Sequence, residues 1–346
     1  MDRRSFLMGT GSTFGLLTLV PETLAQEVIV LRLHTLVPLQ TSTIVDVVGP
    51  WAKDIEAKSG GRLRIEMYGS MALGGAPQAL FDQAKDGVVD FTLTTTGYSP
   101  GRFPITETFE LPFLMTNGEQ TSAALQRFVE AHALDEFAGV KLICANAHGP
   151  GLLHVNRPVE KLEDLRGLKI RGGSRLINDM LAKLGAEPIS MSLSEMSQSL
   201  ASGVLDGTTL PWDITLGYRT SEVVHHHVEF GGDRGLYTQV LVFVMNEAAF
   251  NGLPDDIRVL FDATPGIDIA RASGAVTDRQ DGVARAAAVA MGNTIVTLDD
   301  AETARWKAAV QPTIEQWYED SEALGIDGRA LHEHAEALVA EEAGEA

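Results

Sequence analysis

Two short stretches of closely similar sequence constrain the fold of this chain more than any other feature. Gly87-Val88-Val89-Asp90 and Gly203-Val204-Leu205-Asp206 each follow a segment with helical spacing of apolar residues, and each leads into a short strand. Strands that alternate with helices favour a mostly parallel sheet covered by helices on both faces. Because the pattern occurs twice, the sequence predicts two similar α/β lobes with a binding site between them, at the carboxyl ends of the strands.

Periodicity along the chain supports this two-lobed arrangement. Strands are predicted from alternating or continuous apolar runs at 28–33, 62–67, 88–93, 141–145, 168–171, 188–191, 204–207 and 237–244. Apolar residues at helical spacing predict helices at 43–59, 77–86, 176–184, 194–202, 253–291 (with a break near Pro265) and 299–324. The acidic, alanine-rich tail from residue 336 onward is expected to be frayed.

The length of the chain also exceeds what one hydrophobic core usually supports. We expect the chain to cross between the lobes near Gly149 and near Leu236. The predicted boundaries are 27–148 with 237–276 for the first lobe, 149–236 with 277–304 for the second, and 305–346 for C-terminal helices and tail.

The N-terminus has the organisation of an export signal. Arg3 and Arg4 precede an uncharged apolar stretch, Leu7–Val20, and the small residue Ala25 stands where cleavage is expected. These features predict a signal peptide at residues 1–25, with the paired arginines favouring the twin-arginine route. The apolar stretch is shorter than the roughly 20 residues that span a bilayer, although an uncleaved anchor is the alternative.

Net charge limits the partners that this chain can bind, and its cysteine content limits its disulfides. The formal net charge of −20 disfavours nucleic acid and anionic membrane, and an anionic ligand would need a local basic anchor. The single cysteine, Cys144, cannot form an intramolecular disulfide and lies in an apolar run that is typical of a buried strand. No apolar run after the signal is long enough to insert into a membrane.

The segment Gly167-Leu168-Lys169-Ile170-Arg171 is one of several that match a known family. The others, in order along the chain, are Glu110–Leu114, Arg157-Pro158, Leu162–Leu165, Gly203–Gly207 and Leu253–Asp256. Together they resemble the substrate-binding (DctP-like) proteins of tripartite ATP-independent periplasmic (TRAP) transporters. The resemblance implies a two-lobed periplasmic binding protein with long C-terminal helices, which delivers a small organic carboxylate to membrane permease subunits without a cofactor or catalysis.

Arg171 is the predicted anchor for the ligand, because the resemblance implies that this arginine pairs with the ligand carboxylate. It follows a strand and precedes Gly172-Gly173, which permit close approach of the backbone. A guanidinium group matches a carboxylate through two parallel hydrogen bonds and keeps its proton.

The stretch His148–His154 stands where many members of that family carry a second basic residue. We therefore expect a monocarboxylate with a flat or apolar body, with a 2-oxo or 2-hydroxy acid as the alternative. His154 is either a neutral hydrogen-bonding group in the site or a structural histidine. Arg175 either faces the cleft or caps the next helix.

The opposite wall of the site is predicted to be the loop Leu210–Asp213, which contains Trp212 and Asp213. Trp212 could stack on a flat ligand or lie in the core, as most tryptophans do. Tyr98 is predicted to close the side of the first lobe, and Tyr237 is a further candidate where the chain crosses between lobes.

Other functions have weaker support in the sequence. Within His225-His226-His227, only the first and third side chains can face one ion on an extended chain, so no metal site is expected. An exported enzyme would need a nucleophile or an acid and base pair near Arg171, and the sequence offers no convincing set. A binding protein coupled to a sensor is the remaining alternative.

Overall fold

The structure is a computed structural model that describes residues 28–345, so the predicted signal peptide lies outside the described residues. In the described part, eleven strands occur: β1 (Ile29–Thr35), β2 (Leu63–Tyr68), β3 (Phe91–Thr95), β4 (Val140–Ala147), β5 (Leu152–Val155), β6 (Lys169–Gly172), β7 (Glu187–Ser190), β8 (Gly207–Leu210), β9 (His226–Phe230), β10 (Val240–Asn246) and β11 (Thr294–Leu298).

Helices cover the faces of the sheets. They are α1 (Gly49–Lys58), α2 (Leu80–Lys85), α3 (Gly118–His132), α4 (Arg175–Lys183), α5 (Leu193–Ala201), α6 (Trp212–Gly217), α7 (Thr220–Val223), α8 (Glu247–Asn251), α9 (Asp255–Asp262), α10 (Gly266–Ala290), α11 (Asp300–Ala323) and α12 (Gly328–Ala343). A π-helical segment, Ile44–Val48, leads into α1. No helix within residues 28–345 has both the length and the apolar character needed to cross a membrane.

The strands form two sheets, and the predicted two-lobed α/β fold is confirmed. The first sheet has the order β2-β1-β3-β10-β4, and the second has the order β11-β9-β5-β8-β6-β7. Strands β1, β2 and β3 are parallel, as are β6, β7 and β8, whereas β10 and β5 run antiparallel to both of their neighbours. Each antiparallel strand enters its sheet directly after the chain arrives from the other lobe.

The two similar turns adopt the same structure in the two lobes. The opening glycines, Gly87 and Gly203, have φ of +73° and +72°, a conformation that favours glycine. The closing aspartate of the first turn accepts the backbone N–H of Arg32 at 2.7 Å, and that of the second accepts the N–H of Lys169 at 3.0 Å. In both lobes this carboxylate links the turn to the neighbouring strand.

Several predicted elements begin later than expected, and one was wrong. Strands β3 and β8 start after the turn residues that we assigned to them, because the turn itself occupies those positions. Residues 336–343 of the predicted frayed tail belong instead to α12, which packs on α3. Its apolar side chains follow helical spacing, with Ala335, Leu338 and Val339 buried, and Asp327 caps its first turn.

Three segments link the two sheets within residues 28–345. The chain crosses between β4 and β5 and again between β9 and β10, and the two crossing segments meet at a bridge between Gly151 and Tyr237. Helix α10 packs on α3 and β4 on one side and on α6 on the other. The exact boundaries of the lobes stay a prediction.

Candidate functional site

A cavity of about 100 Å³ lies between the two sheets. Strands β1, β3, β6 and β8 point their carboxyl ends towards it, which is the usual place for a ligand in open α/β sheets. Much of its wall is aliphatic, formed by Val37, Leu93, Leu193, Leu210, Ile214 and Leu241. The polar side chains in the wall are Thr35, Thr41, Thr43, Thr94, Thr95, Tyr98, Asn146, His148, Arg171, Asp213, Gln239 and Thr277.

Arg171 lies on β6 in the wall of this cavity and is only 2% exposed. Its Nε donates to the carbonyl of Met191 at 2.9 Å, and its Nη1 reaches the carbonyl of Thr209 at 3.5 Å. Among the described residues no carboxylate forms an ion pair with it. A buried charge without a counter-ion is costly, so this arrangement is typical of a site that receives an anion.

The glycines after Arg171 allow the two lobes to approach each other closely. A Cβ atom on Gly173 would stand 2.3 Å from Oε1 of Gln239, which belongs to the segment that returns to the first sheet. A larger residue at position 173 would require the side chain of Gln239 to move. Gln239 thereby reaches the cavity beside Arg171.

His148 begins the stretch in which many members of the resembling family carry a second basic residue, and its imidazole ring is neutral. The N–H of Gln239 donates to its Nε2 at 3.0 Å, so Nδ1 carries the proton and donates to the carbonyl of Gly149 at 2.5 Å. Burial, with a smaller contribution from Arg171, lowers the pKa of His148 to about 4. Arg171 is therefore the cation of the described cavity wall at neutral pH.

Tyr98 connects the two lobes at the edge of the cavity. Its hydroxyl oxygen accepts the backbone N–H of Leu193 at 3.0 Å. Tyr98 follows β3 of the first sheet, whereas Leu193 is the first residue of α5 beside the second sheet, and both line the cavity. The lobes are thus closed on each other in this structure.

Asp213 lines the cavity from the start of α6. Its backbone N–H donates to Oδ1 of Asp281 on α10 at 2.7 Å. Burial, with a smaller contribution from the nearby carboxylate of Asp278, raises the pKa of the Asp213 carboxyl to about 7, although a hydrogen bond from the N–H of Ile214 acts to lower it. The site therefore contains one carboxyl group that is easily protonated near neutral pH.

The structure places Trp212 and His154 outside the wall of this cavity, unlike the ligand contacts predicted for them. The Trp212 indole donates to Oε1 of Glu229 at 2.8 Å, and its ring lies edge-on to that of His154 with centroids 5.1 Å apart. His154 is fully buried, and its Nδ1 lies 2.7 Å from Nδ1 of His227. Pro211 faces the cavity, and the side chain of Trp212, which follows it, points to the opposite side of the chain.

Arg175 and Tyr237 also have structural surroundings away from the cavity. Arg175, the first residue of α4, pairs with Glu107 at 2.8 Å, Asp179 at 3.1 Å and Asp320 at 3.2 Å. These carboxylates pair with its guanidinium in this structure. Tyr237 is 1% exposed and packs edge-on against the ring of His148, at 5.5 Å. It supports a cavity residue without reaching the cavity.

Comparison with known proteins identifies the family. The model of the bacterial extracellular solute-binding protein family 7 (DctP) matches residues 35–321. This chain belongs to that family. A curated solute-binding protein of Verminephrobacter eiseniae is 27% identical over 276 residues, which cover 78% of this chain and 79% of the relative.

Solved structures of family 7 proteins resemble this one closely. A TRAP solute-binding protein of Rhodoferax ferrireducens, in complex with copurified benzoate, is 38% identical with a TM-score of 0.89, covering 91% of this chain and 99% of that one. A marine metagenome TRAP solute-binding protein specific for aromatic acid ligands, in complex with 3-hydroxybenzoate, is 35% identical with a TM-score of 0.89 and the same coverages. One from Bordetella bronchiseptica with bound mandelate is 29% identical with a TM-score of 0.83, covering 90% and 99%.

Among the polar cavity residues of this family 7 protein that sequence reasoning missed, three carry unpartnered polar atoms. Thr95, Asn146 and Gln239 each carry a buried polar atom without a hydrogen-bond partner in the described residues, as does Asp213. Asn146 lies near the end of β4, so the strand-end rule could have found it. Gln239 follows the second crossing, and nothing in the sequence distinguishes it from other polar residues of that segment.

Proposed function

We propose that this protein is a periplasmic binding protein that captures an aromatic monocarboxylate and presents it to the membrane permease of a TRAP transporter. The observation that carries the proposal is Arg171, a buried guanidinium without a carboxylate partner in the described chain, which faces a cavity between two lobes. A ligand carboxylate would supply the missing anion in the two-pronged geometry that guanidinium favours.

The rest of the cavity fits the body of a small aromatic acid. Its volume of about 100 Å³ is of the same order as an apolar cavity of about 150 Å³ that holds benzene in an engineered protein. Its aliphatic wall suits a ring rather than a polyhydroxylated chain. Because His148 is neutral, a second carboxylate would find no second cation in the cavity wall.

The related structures support the same ligand class. Proteins 35% and 38% identical to this one are described with 3-hydroxybenzoate and benzoate, and one 29% identical with mandelate, an aromatic 2-hydroxy acid. These relatives are TRAP solute-binding proteins, which favours delivery to a permease over coupling to a sensor. The export signal proposed for residues 1–25 agrees with capture in the periplasm.

A thermal-shift screen tests this function. The mature protein would be heated with benzoate, phenylacetate and mandelate, and with lactate, succinate and glucuronate as controls. At 100 times its Kd a ligand stabilises the folded state by about 2.7 kcal/mol, so the aromatic acids should raise the Tm. Mass analysis should return each bound acid unchanged. Stabilisation by succinate or glucuronate and by none of the aromatic acids would contradict the proposal.

A further inference from the structure

The unpartnered polar atoms of the cavity are of two kinds. Nε2 of Gln239 is a donor and Oγ1 of Thr95 can donate, so a ligand carboxylate can satisfy both of them together with Arg171. Oδ1 of Asn146 and Oδ1 of Asp213 are acceptors, and a carboxylate has no hydrogen to give them. A buried acceptor left without a donor costs about 1–3 kcal/mol.

Asp213 carries the stronger requirement for a donor. The side-chain amide of Asn146 can exchange its oxygen and nitrogen by rotation, whereas both terminal atoms of Asp213 are oxygens. Within residues 28–345 no side chain donates to either carboxyl oxygen of Asp213. In the described chain the backbone N–H of Ile214 donates to this carboxyl group, and its Oδ1 is left without a donor.

The position of Asp213 allows a ligand to contact it and Arg171 at the same time. Both residues line the same cavity, yet they form no ion pair, although opposite charges within reach of each other would pair. The aliphatic side chains of Leu210 and Ile214, which flank Asp213 along the chain, form part of the wall for the ligand body. A ring anchored by its carboxylate at Arg171 could therefore present a substituent to Asp213.

We propose that Asp213 is a specificity residue that accepts a hydrogen bond from a hydroxyl group on the ring of the bound acid. The preferred ligands are then hydroxylated aromatic carboxylates rather than benzoate itself. This inference rests on the proposed function, because it places the ligand carboxylate at Arg171. A site built to bind a hydroxyl discriminates strongly against an analogue that lacks it, since its polar group is then left without a partner.

Calorimetry with matched ligands tests the inference. The wild-type protein and Asp213→Leu would be titrated with benzoate, the three hydroxybenzoates and the three methoxybenzoates. A methoxy group is similar in position but cannot donate a hydrogen bond. We expect one hydroxybenzoate to bind the wild-type protein at least about tenfold more tightly than its methoxy counterpart. In Asp213→Leu that ratio should fall to about one, and in Asp213→Asn, which keeps one acceptor oxygen, it should be intermediate.

Asp278→Asn is the matched control, because Asp278 acts on the charge of Asp213 but does not line the cavity. Its hydroxy-to-methoxy ratio should not fall below that of the wild-type protein, because loss of the Asp278 carboxylate lowers the pKa of Asp213 and leaves its acceptor oxygens in place. A folded Asp213→Leu protein that keeps the wild-type ratio would overturn the inference. A wild-type protein that binds benzoate but does not distinguish hydroxyl from methoxy would overturn the inference alone, whereas failure to bind any of these acids would overturn the proposed function as well.

Discussion

Arg171 keeps its charge available because backbone carbonyls, rather than a carboxylate, hold its side chain in place. The carbonyls of Met191 and Thr209 fix the direction of the guanidinium without neutralising it. The neighbouring ring of His148 is neutral, since burial lowers its pKa to about 4. The cavity wall thus combines one cation, Arg171, with the carboxyl group of Asp213 and with uncharged polar and aliphatic side chains.

Trp212 is predicted to contribute to stability and not to ligand affinity. Its indole N–H donates to the carboxylate of Glu229 in a buried position behind the cavity. Trp212→Phe should therefore lower the free energy of unfolding in urea by about 1.5–3 kcal/mol, as expected for a hydrogen bond to a charged group. Its affinity for benzoate by calorimetry should remain close to that of the wild-type protein. Normal stability with abolished binding would show that Trp212 contacts the ligand.

The sequence predicts the position of some site residues but not of others. Arg171 could be predicted from the sequence, because it ends a predicted strand within a family motif and precedes two glycines. Trp212 and Asp213 are adjacent in the same loop, yet only Asp213 lines the cavity. Which way each side chain turns depends on the angle at which β8 passes into α6, and that angle follows from the packing of α6 on α10. Such a tertiary cause leaves no local signal in the sequence.

At the scale of elements, the contact between Tyr98 and the first residue of α5 joins the lobes only when they are closed. Loss of one hydrogen bond costs about 0.5–1.5 kcal/mol, so Tyr98→Phe should weaken benzoate binding roughly 2- to 12-fold. The change should appear in the dissociation rate measured by stopped flow, because association begins from the open form.

Tyr68→Phe is the matched control for this experiment. Tyr68 donates to Glu66 on the same strand, at the far edge of the first sheet, so its loss should leave dissociation unchanged. A Tyr98→Phe protein that releases benzoate as slowly as the wild-type protein would contradict the role of this contact in closure.

Helix α12 is predicted to be an integral part of the first lobe. Leu338 is 4% exposed and packs in the same cluster as Phe128 of α3, whereas Leu324 is 64% exposed. Leu338→Ala should therefore lower the free energy of unfolding by about 2–5 kcal/mol, and Leu324→Ala should change it by less than about 0.5 kcal/mol. Equal effects of the two substitutions in urea unfolding would show that α12 is frayed.

The sequence predicted many of the helices and strands, but α3, β5, β9 and β11 were missed, and the second half of α12 was predicted to be a frayed tail. For α12 the reason is physical. Its apolar face is formed mainly by alanines, two leucines and a valine, among many glutamates, so composition alone indicated a solvated tail. The helix is stabilised because its apolar face packs on a complementary surface of α3, and the sequence of α12 does not reveal this surface. The two similar turns, in contrast, encode their structure locally through a glycine and an aspartate, and both were found.

For the whole molecule, three buried carboxyl groups link stability to pH. Burial raises the pKa of Asp213 to about 7 and, more strongly, that of Glu110 and of Asp281 to about 8 in each case. In the unfolded chain these groups titrate near their model values of 3.8 and 4.5. At pH values between the unfolded-state pKa and the folded-state pKa of each carboxyl group, the folded state binds more protons than the unfolded state. The contribution of these carboxyl groups to stability therefore falls as the pH rises.

Buried histidines have the opposite effect, but in a lower pH range. Burial lowers the pKa of His148 and His227 to about 4, below the model value of 6.5, so their contribution rises with pH only up to that value. The carboxyl effect is thus opposed below pH 6.5 and unopposed by these histidines above it.

We therefore expect the Tm of the ligand-free protein to fall between pH 6.5 and 8.5. Each of these groups lowers the free energy of unfolding by at most about 1.4 kcal/mol per pH unit. Differential scanning calorimetry at constant ionic strength measures this change. Asp281→Asn should make the dependence shallower, because an amide does not titrate. A Tm that is constant or rises over this range would contradict the burial of these groups as neutral acids.

The central claim is that Arg171 binds the carboxylate of an aromatic acid, and calorimetry on Arg171→Ala and Arg171→Lys with benzoate tests it most directly. Removal of one partner from a desolvated charge pair costs about 2–5 kcal/mol, so Arg171→Ala should bind roughly 30-fold to several thousand-fold more weakly. Arg171→Lys should recover only part of the affinity, because an ammonium group cannot form the two-pronged contact. With folding verified by circular dichroism, near-wild-type affinity of Arg171→Ala would contradict the account.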